Sequence, residues 1–124
     1  MQNALTEPKV INFSDDEFSR EIVPGVAHMK HTFGNDTSVA LFKVAKGKGT
    51  SFPNVKHSHG EEVAIQLKGT SMLYANGKEY IIREGELIIV PGGLEHSGIF
   101  SDDEESLLLA IATPPREDYG NPTW

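Results

Sequence analysis

Glycine and proline occupy nineteen of the 124 positions, and they fall between short apolar runs rather than inside long periodic ones. That punctuation leaves little room for helices and favours strands joined by turns. The run TSVALFKV (37 to 44) is β-branched and aromatic, and Gly47 and Gly49 close it. EVAIQLKG (62 to 69) alternates, with Val63, Ile65 and Leu67 on one face and Glu62, Ala64 and Gln66 on the other. SMLYANGKEYIIR reads as a hairpin, because Asn76-Gly77 supplies two residues that tolerate positive φ. GELIIVPGG and SLLLAIATPP are further strands ended by proline or glycine pairs. Many short strands at this spacing predict a β-sandwich or barrel. The one helix candidate is SDDEFSRE (14 to 21), where Ser14 and Glu17 have capping-box spacing; a polar turn fits it equally well.

Length limits the chain to one domain with one core. Its expected organisation is an N-terminal arm and edge strand over 1–23, a barrel over 24–116 and a tail over 117–124. A formal net charge of −7 argues against non-specific binding to nucleic acid or to an anionic membrane surface. With no cysteine, disulfides, Cys-type zinc sites and thiol nucleophiles are excluded. The opening residues MQNALTEPKV show neither a charged n-region nor an apolar h-region, and no apolar run reaches the length of a membrane span. A cytoplasmic location is the resulting expectation. The strand-like KVINF (9 to 13) offers an edge that could pair with another chain, and a homodimer is expected.

The five histidines stand at 28, 31, 57, 59 and 96. His57 and His59 lie two apart, so on a strand end both side chains leave one face. Imidazole is the commonest protein ligand of first-row metals, and carboxylates often accompany it. His-x-His alone is a weak signal, but its surroundings add weight. His57-Ser58-His59-Gly60-Glu61-Glu62 is followed by Gly69, and a second block carries Gly85, Pro91, Gly93 and His96. This pair of blocks resembles the two-motif signature of the cupin superfamily, approximately G-x5-H-x-H-x3,4-E-x6-G and G-x5-P-x-G-x2-H-x3-N. The second block matches every glycine, the proline and the histidine.

Three departures stand out. Ser51 occupies the position six residues before His57, where the motif has glycine; only two residues separate His59 from Glu62; and Phe100 replaces the closing asparagine. On a continuous strand the shortened spacing would turn Glu62 away from His59. The distance to Gly69 favours Glu62 as the ligand, with Glu61 as the alternative.

The resemblance implies an all-β fold, the cupin double-stranded β-helix or jelly-roll barrel. It also implies that His57, His59, Glu62 and His96 converge on one divalent metal ion: iron, nickel, manganese, cobalt or zinc. Such a ligand set leaves coordination positions open for a small-molecule substrate. If Glu62 points inward, Ala64 and Gln66 share its wall, and Phe100 shares the wall of His96. These three residues are the expected substrate pocket. Gln66 would orient substrate, while His28 and His31 are the candidate bases; their odd separation puts them on opposite faces, and parity alone does not say which enters the cavity. Tyr74, Tyr80 and the acidic run 101–105 read as ordinary core, interface and turn residues.

The similarity extends to small members that open uronate rings or cyclise polyketides. It therefore implies a metal-dependent isomerase, cyclase or ring-opening enzyme for an oxygen-rich substrate, with the metal as a Lewis acid. An iron-dependent dioxygenase and a non-catalytic binding or sensing module are the alternatives.

Overall fold

The computed structural model describes residues 4–14, 16–18, 20–47, 59–100 and 103–116, with Ile99 and Phe100 described by their backbone only. Among the described residues, nine strands run in chain order: β1 (Arg20–Val23), β2 (Ala27–Phe33), β3 (Ser38–Val44), β4 (Glu61–Lys68), β5 (Ser71–Ala75), β6 (Lys78–Ile82), β7 (Leu87–Val90), β8 (His96–Phe100) and β9 (Ser106–Thr113). They form a six-stranded sheet in the order β1-β2-β3-β9-β4-β7 and a three-stranded sheet in the order β6-β5-β8. Every pairing between them is antiparallel. The β5–β6 turn contains Asn76 at φ 51° and Gly77 at φ 72°, the two positive values a type I′ turn requires.

Register decides which side chains meet inside. Paired residues on neighbouring antiparallel strands share a face, so each set of partners traces a row across the sheet. One row runs His31–Ala40–Ala110–Ala64–Ile88, and the next runs Phe33–Ser38–Ala112–Glu62–Val90. Both rows face the barrel interior. Leu73, Ala75 and Ile82 of the small sheet pack against Val90 and Ile88 of β7, joining the two sheets in one core. A second part of the core lies between β2 and β3, where Met29 and Ala40 meet Phe33 and Phe42.

Gln66 lies on the same inner face and ties three strands together. Its Nε2 donates to Ser106 Oγ and to the Lys68 carbonyl, both at 2.8 Å, and its Oε1 accepts from Ser71 Oγ at 2.7 Å. All three side chains are buried. Gln66→Ala would strand two buried hydroxyls and leave a cavity, so we expect a loss of about 2–4 kcal/mol in chemical denaturation.

Two expectations for the N-terminal region come out differently. KVINF forms no strand, since residues 9–13 are irregular; the sheet edge is supplied by β1 instead. The described residues of 14–21 form a turn at Asp16 and the start of β1, not a helix. The polar Ser14–Asp16 hydrogen bond satisfies the turn locally, and the tertiary anchor is Lys30. Its ammonium group donates to the carbonyls of Ser14 and Glu17 and lies 5.5 Å from the Phe13 ring and 5.1 Å from that of Phe18. The arm thus lies over the outer face of β2. Among the described residues, no helix is long and apolar enough to cross a membrane.

Candidate metal centre

The site forms where the start of β4 meets the start of β8. His59 precedes a bend at Gly60, after which β4 begins at Glu61. That bend changes the parity that a continuous strand would impose. Glu62 points inward with Ala64 and Gln66, yet its Oε1 lies 2.9 Å from His59 Nε2. Glu61 is exposed on the opposite face.

The glycines of the two sequence blocks explain themselves in space. Gly93, at φ +80°, turns its N–H to the His59 carbonyl at 2.8 Å, so the second block holds the first in place. Gly60 sits against the end of β9, where a Cβ would collide with the Thr113 carbonyl oxygen and come within 2.5 Å of Pro114 Cδ.

Both imidazoles are oriented by backbone. His59 Nδ1 donates to the Gly60 carbonyl at 2.8 Å, and His96 Nδ1 donates to the Leu94 carbonyl at 2.9 Å. Because a carbonyl only accepts, each neutral ring must carry its proton on Nδ1, which leaves Nε2 with the lone pair that binds metals. The rings meet edge to face, with centroids 4.8 Å apart and planes at 84°.

His59, Glu62 and His96 each offer one ligand atom, and these atoms lie within 4.8 Å of one another. Two ligands bound at ~2.1 Å and 90° apart are separated by about 3 Å, close to the His59–Glu62 distance. A neutral Nε2 and a carboxylate oxygen are both acceptors, so their approach calls for a cation or a proton between them. The donor set of two imidazoles and a carboxylate suits iron, nickel, manganese, cobalt or zinc. The residues present therefore fit a divalent metal.

Burial pushes the Glu62 carboxyl up. With no metal bound, a protonated His59 donating to the carboxylate, together with the charges of a protonated His96 and of Arg116, more than offsets burial and holds the group below its ordinary range. Glu62 is thus ionised at neutral pH, as a ligand must be.

The remaining candidates are distributed as follows. His57 lies outside the described residues, as does the Phe100 side chain. Ala64 and Gln66 face inward, but the Gln66 amide is engaged with Ser71, Ser106 and Lys68. His31 shares the inner face and is fully buried, its ring 5.4 Å from that of Phe33. His28 faces outward, with Nε2 3.2 Å from Glu21.

Arg116 was not among the residues expected at the site. Its backbone N–H donates to Ser38 Oγ at 3.0 Å, and its guanidinium reaches to 3.9 Å from Glu62 Oε1. The side chain therefore reaches from β3 to the candidate metal ligands. The sequence carries it in the PPRE run (114–117), an ending that resembles those of small cupins but assigns the arginine no role until the fold brings it beside Glu62.

A family model described as a Cupin domain matches residues 40–112, more than half of the chain. No curated protein sequence matches it. Among solved structures, an RmlC-like cupin from Shewanella frigidimarina superposes with a TM-score of 0.72 at 17% identity, covering 93% of this chain and 99% of that one. KdgF from a Halomonas species gives 0.67 at 17% identity, covering 81% and 88%. A cupin superfamily protein from Desulfitobacterium hafniense gives 0.61 at 14% identity, covering 75% and 82%. At these identities the structures speak to the fold, and they agree with the family match and with the two antiparallel sheets. The chain belongs to the cupin superfamily and is built on the jelly-roll barrel.

Proposed function

We propose that the chain is a metal-dependent enzyme that isomerises, cyclises or opens a small oxygen-rich substrate carrying an anionic group. The observation that carries this reading is the His59–Glu62–His96 cluster, whose ligand atoms lie within 4.8 Å of one another, with a guanidinium beside it. A divalent ion held there, with His57 as the fourth ligand that the family resemblance implies, would supply Lewis acidity toward a carbonyl or hydroxyl oxygen.

The chain's own residues do the rest. Arg116 brings a guanidinium to 3.9 Å from Glu62, a positive charge at the site to which a substrate carboxylate could pair. Ala64, Ala110 and Ala112 face the interior on the adjoining wall with single methyl groups. His31 is the inward member of the two histidines considered as bases and so the one suited to moving a proton; His28 is turned to the outer surface. The barrel walls exclude bulk water, which strengthens the electrostatic contacts within.

Arg116→Met keeps the aliphatic stem and removes the charge. We expect unchanged metal content and a 10- to 100-fold loss of kcat/KM toward carboxylate substrates (roughly 1.5–3 kcal/mol), concentrated in KM. The functional test is to incubate protein loaded with zinc, nickel or manganese with small keto acids and unsaturated uronates under anaerobic conditions and to follow products by NMR. Turnover without oxygen supports the proposal. Turnover only with iron and oxygen would replace it with a dioxygenase, and a raised Tm without chemical change would replace it with a binding module.

A further inference from the structure

Consecutive strands β6 and β7 part at one corner of the barrel. Among the described residues, β6 ends the small sheet and β7 ends the large one. The turn between them is fixed by Glu86, whose N–H donates to the Arg83 carbonyl at 2.9 Å and whose Oε1 accepts the Arg83 N–H at 2.8 Å. From that turn the strands enter separate sheets and leave a wedge of about 460 Å³ between them, within the ~300–1,000 Å³ of ligand clefts. Ile82 and Ile88, which also pack in the core, line it together with Tyr80. Glu79, Arg83 and Glu86 add exposed charges to its lining.

The β7 side of the wedge carries backbone groups that no described strand uses. In an antiparallel ladder, alternate residues direct both N–H and C=O to the same neighbour. The Gln66 N–H and carbonyl bond to Glu86 and Gly85, so Gln66, Ala64 and Glu62 of β4 direct theirs toward β7. Ile88 and Val90 answer Ala64 and Glu62, which turns the N–H and C=O of Leu87 and Ile89 to the open side. The strand is also apolar on both faces. Ile88 and Val90 point into the core, while Leu87 and Ile89 are 55% and 57% exposed on the outside. Edge strands are ordinarily blunted by a charge, a proline or a bulge. β6 follows that rule with Lys78 and Glu79, but Leu-Ile-Ile-Val of β7 has neither charge nor proline.

We infer that the β7 edge is a docking site for an extended segment of another protein, which adds as a strand in the wedge. Main-chain bonds to Leu87 and Ile89 give such a segment its affinity, and the pockets beside them choose its side chains. A side chain level with Ile88 faces the wedge lined by Tyr80 and Ile82. Those level with Leu87 and Ile89 extend the outer pairs Ile65–Leu87 and Val63–Ile89. With both faces apolar, the segment that fits is β-branched and uncharged along the four residues of β7. Charge selects its flanks. Glu79, Glu84 and Glu86 outnumber Arg83 at this corner, on a chain of net charge −7, so flanking lysines or arginines are drawn to it. A second copy would bring the same acidic corner and oppose like charges.

The test is fluorescence anisotropy of the full chain with a labelled, end-capped peptide, Lys-Thr-Val-Ile-Val-Thr-Lys. Main-chain pairing carries the contact, so a generic strand serves as the probe. Saturable binding is expected, with slowed hydrogen exchange at the Leu87 and Ile89 amides of the wild type. Ile89→Pro removes one outward N–H and spares the ladder to β4, so it should keep wild-type circular dichroism and weaken binding by about tenfold. Ile81→Pro is the matching change on the β6 edge: Lys78 closes the hairpin against Ala75, which turns the Ile81 N–H outward, and binding should be unchanged. Glu79→Lys/Glu84→Lys should weaken it severalfold. No saturable binding at millimolar peptide, exchange slowed elsewhere but not at Leu87 and Ile89, or equal affinity in a folded Ile89→Pro would overturn the inference. So would equal binding of a peptide with proline at its central position, or a dimer of the wild type that Ile89→Pro breaks, which would make a second copy the occupant. The metal ligands take no part in this contact, so its outcome is independent of the proposed function.

Discussion

Adding a divalent metal to metal-stripped protein is expected to raise its Tm by on the order of 10 °C, and His96→Ala should abolish the rise. A ligand that binds only the folded state stabilises it by about 2.7–4.1 kcal/mol at 100 to 1,000 times its Kd. For a domain of this size each kcal/mol moves Tm by about 2–8 °C. His96 supplies one of three ligand atoms and is held by the Leu94 carbonyl, so its loss removes a donor that no neighbour replaces among the described residues. Glu62→Gln should act similarly, since it takes the anionic ligand from between His59 and Arg116. His28→Ala is the control: it lies on the outer face beside Glu21 and should respond to metal as the wild type does. Scanning calorimetry with and without metal separates these outcomes.

Gly60→Ala is expected to damage both the fold and the site. The atoms a new Cβ would strike are the Thr113 carbonyl and Pro114 Cδ, parts of the chain with no side-chain rotamer to change. Either the His59–Glu61 bend or the end of β9 must move. Overpacking of this kind costs about 1–3 kcal/mol and occasionally more. Movement on one side displaces the Gly60 carbonyl that orients His59, and on the other it shifts the segment carrying Arg116. Outer contacts that orient a metal-bound histidine are worth 10- to 100-fold in affinity. We therefore expect a lower denaturation midpoint together with metal binding weakened by at least tenfold. Wild-type values of both would show that the close approach of Gly60 to β9 has no bearing on the centre.

The parts of the molecule legible in the sequence were those whose signals are local. Asn76-Gly77 announces its hairpin because both residues accept positive φ. The alternation in 62 to 69 separates faces because β4 pairs on both sides and packs inward with Glu62, Ala64 and Gln66. The block from Gly85 to His96 was readable through its resemblance to the cupin motif, and in the fold Gly93 takes a positive-φ turn while His96 opens β8. Distant register was harder. His28 and His31 are distinguished only by the pairing of His31 with Ala40, which carries it onto the inner face. Glu62 and Glu61 are distinguished by the bend at Gly60, which spacing alone does not reveal.

KVINF has the composition of a strand, but the edge position beside β2 is taken by β1, and the arm is held instead by Lys30, whose partners are carbonyls and rings rather than a ladder. Arg116 is illegible in the sequence for a different reason. Its role depends on the chain doubling back after β9 so that its backbone meets Ser38, 78 positions earlier. No periodicity in the sequence encodes that contact.

The most direct test of the account is the metal content of tag-free protein by inductively coupled plasma mass spectrometry, beside a His59→Ala/His96→Ala double variant. The account predicts close to one divalent ion per chain in the wild type and none retained by the variant, whose fold circular dichroism would confirm. Equal metal in the two proteins, or none in the wild type after incubation with iron, nickel, manganese, cobalt and zinc in turn, would contradict it.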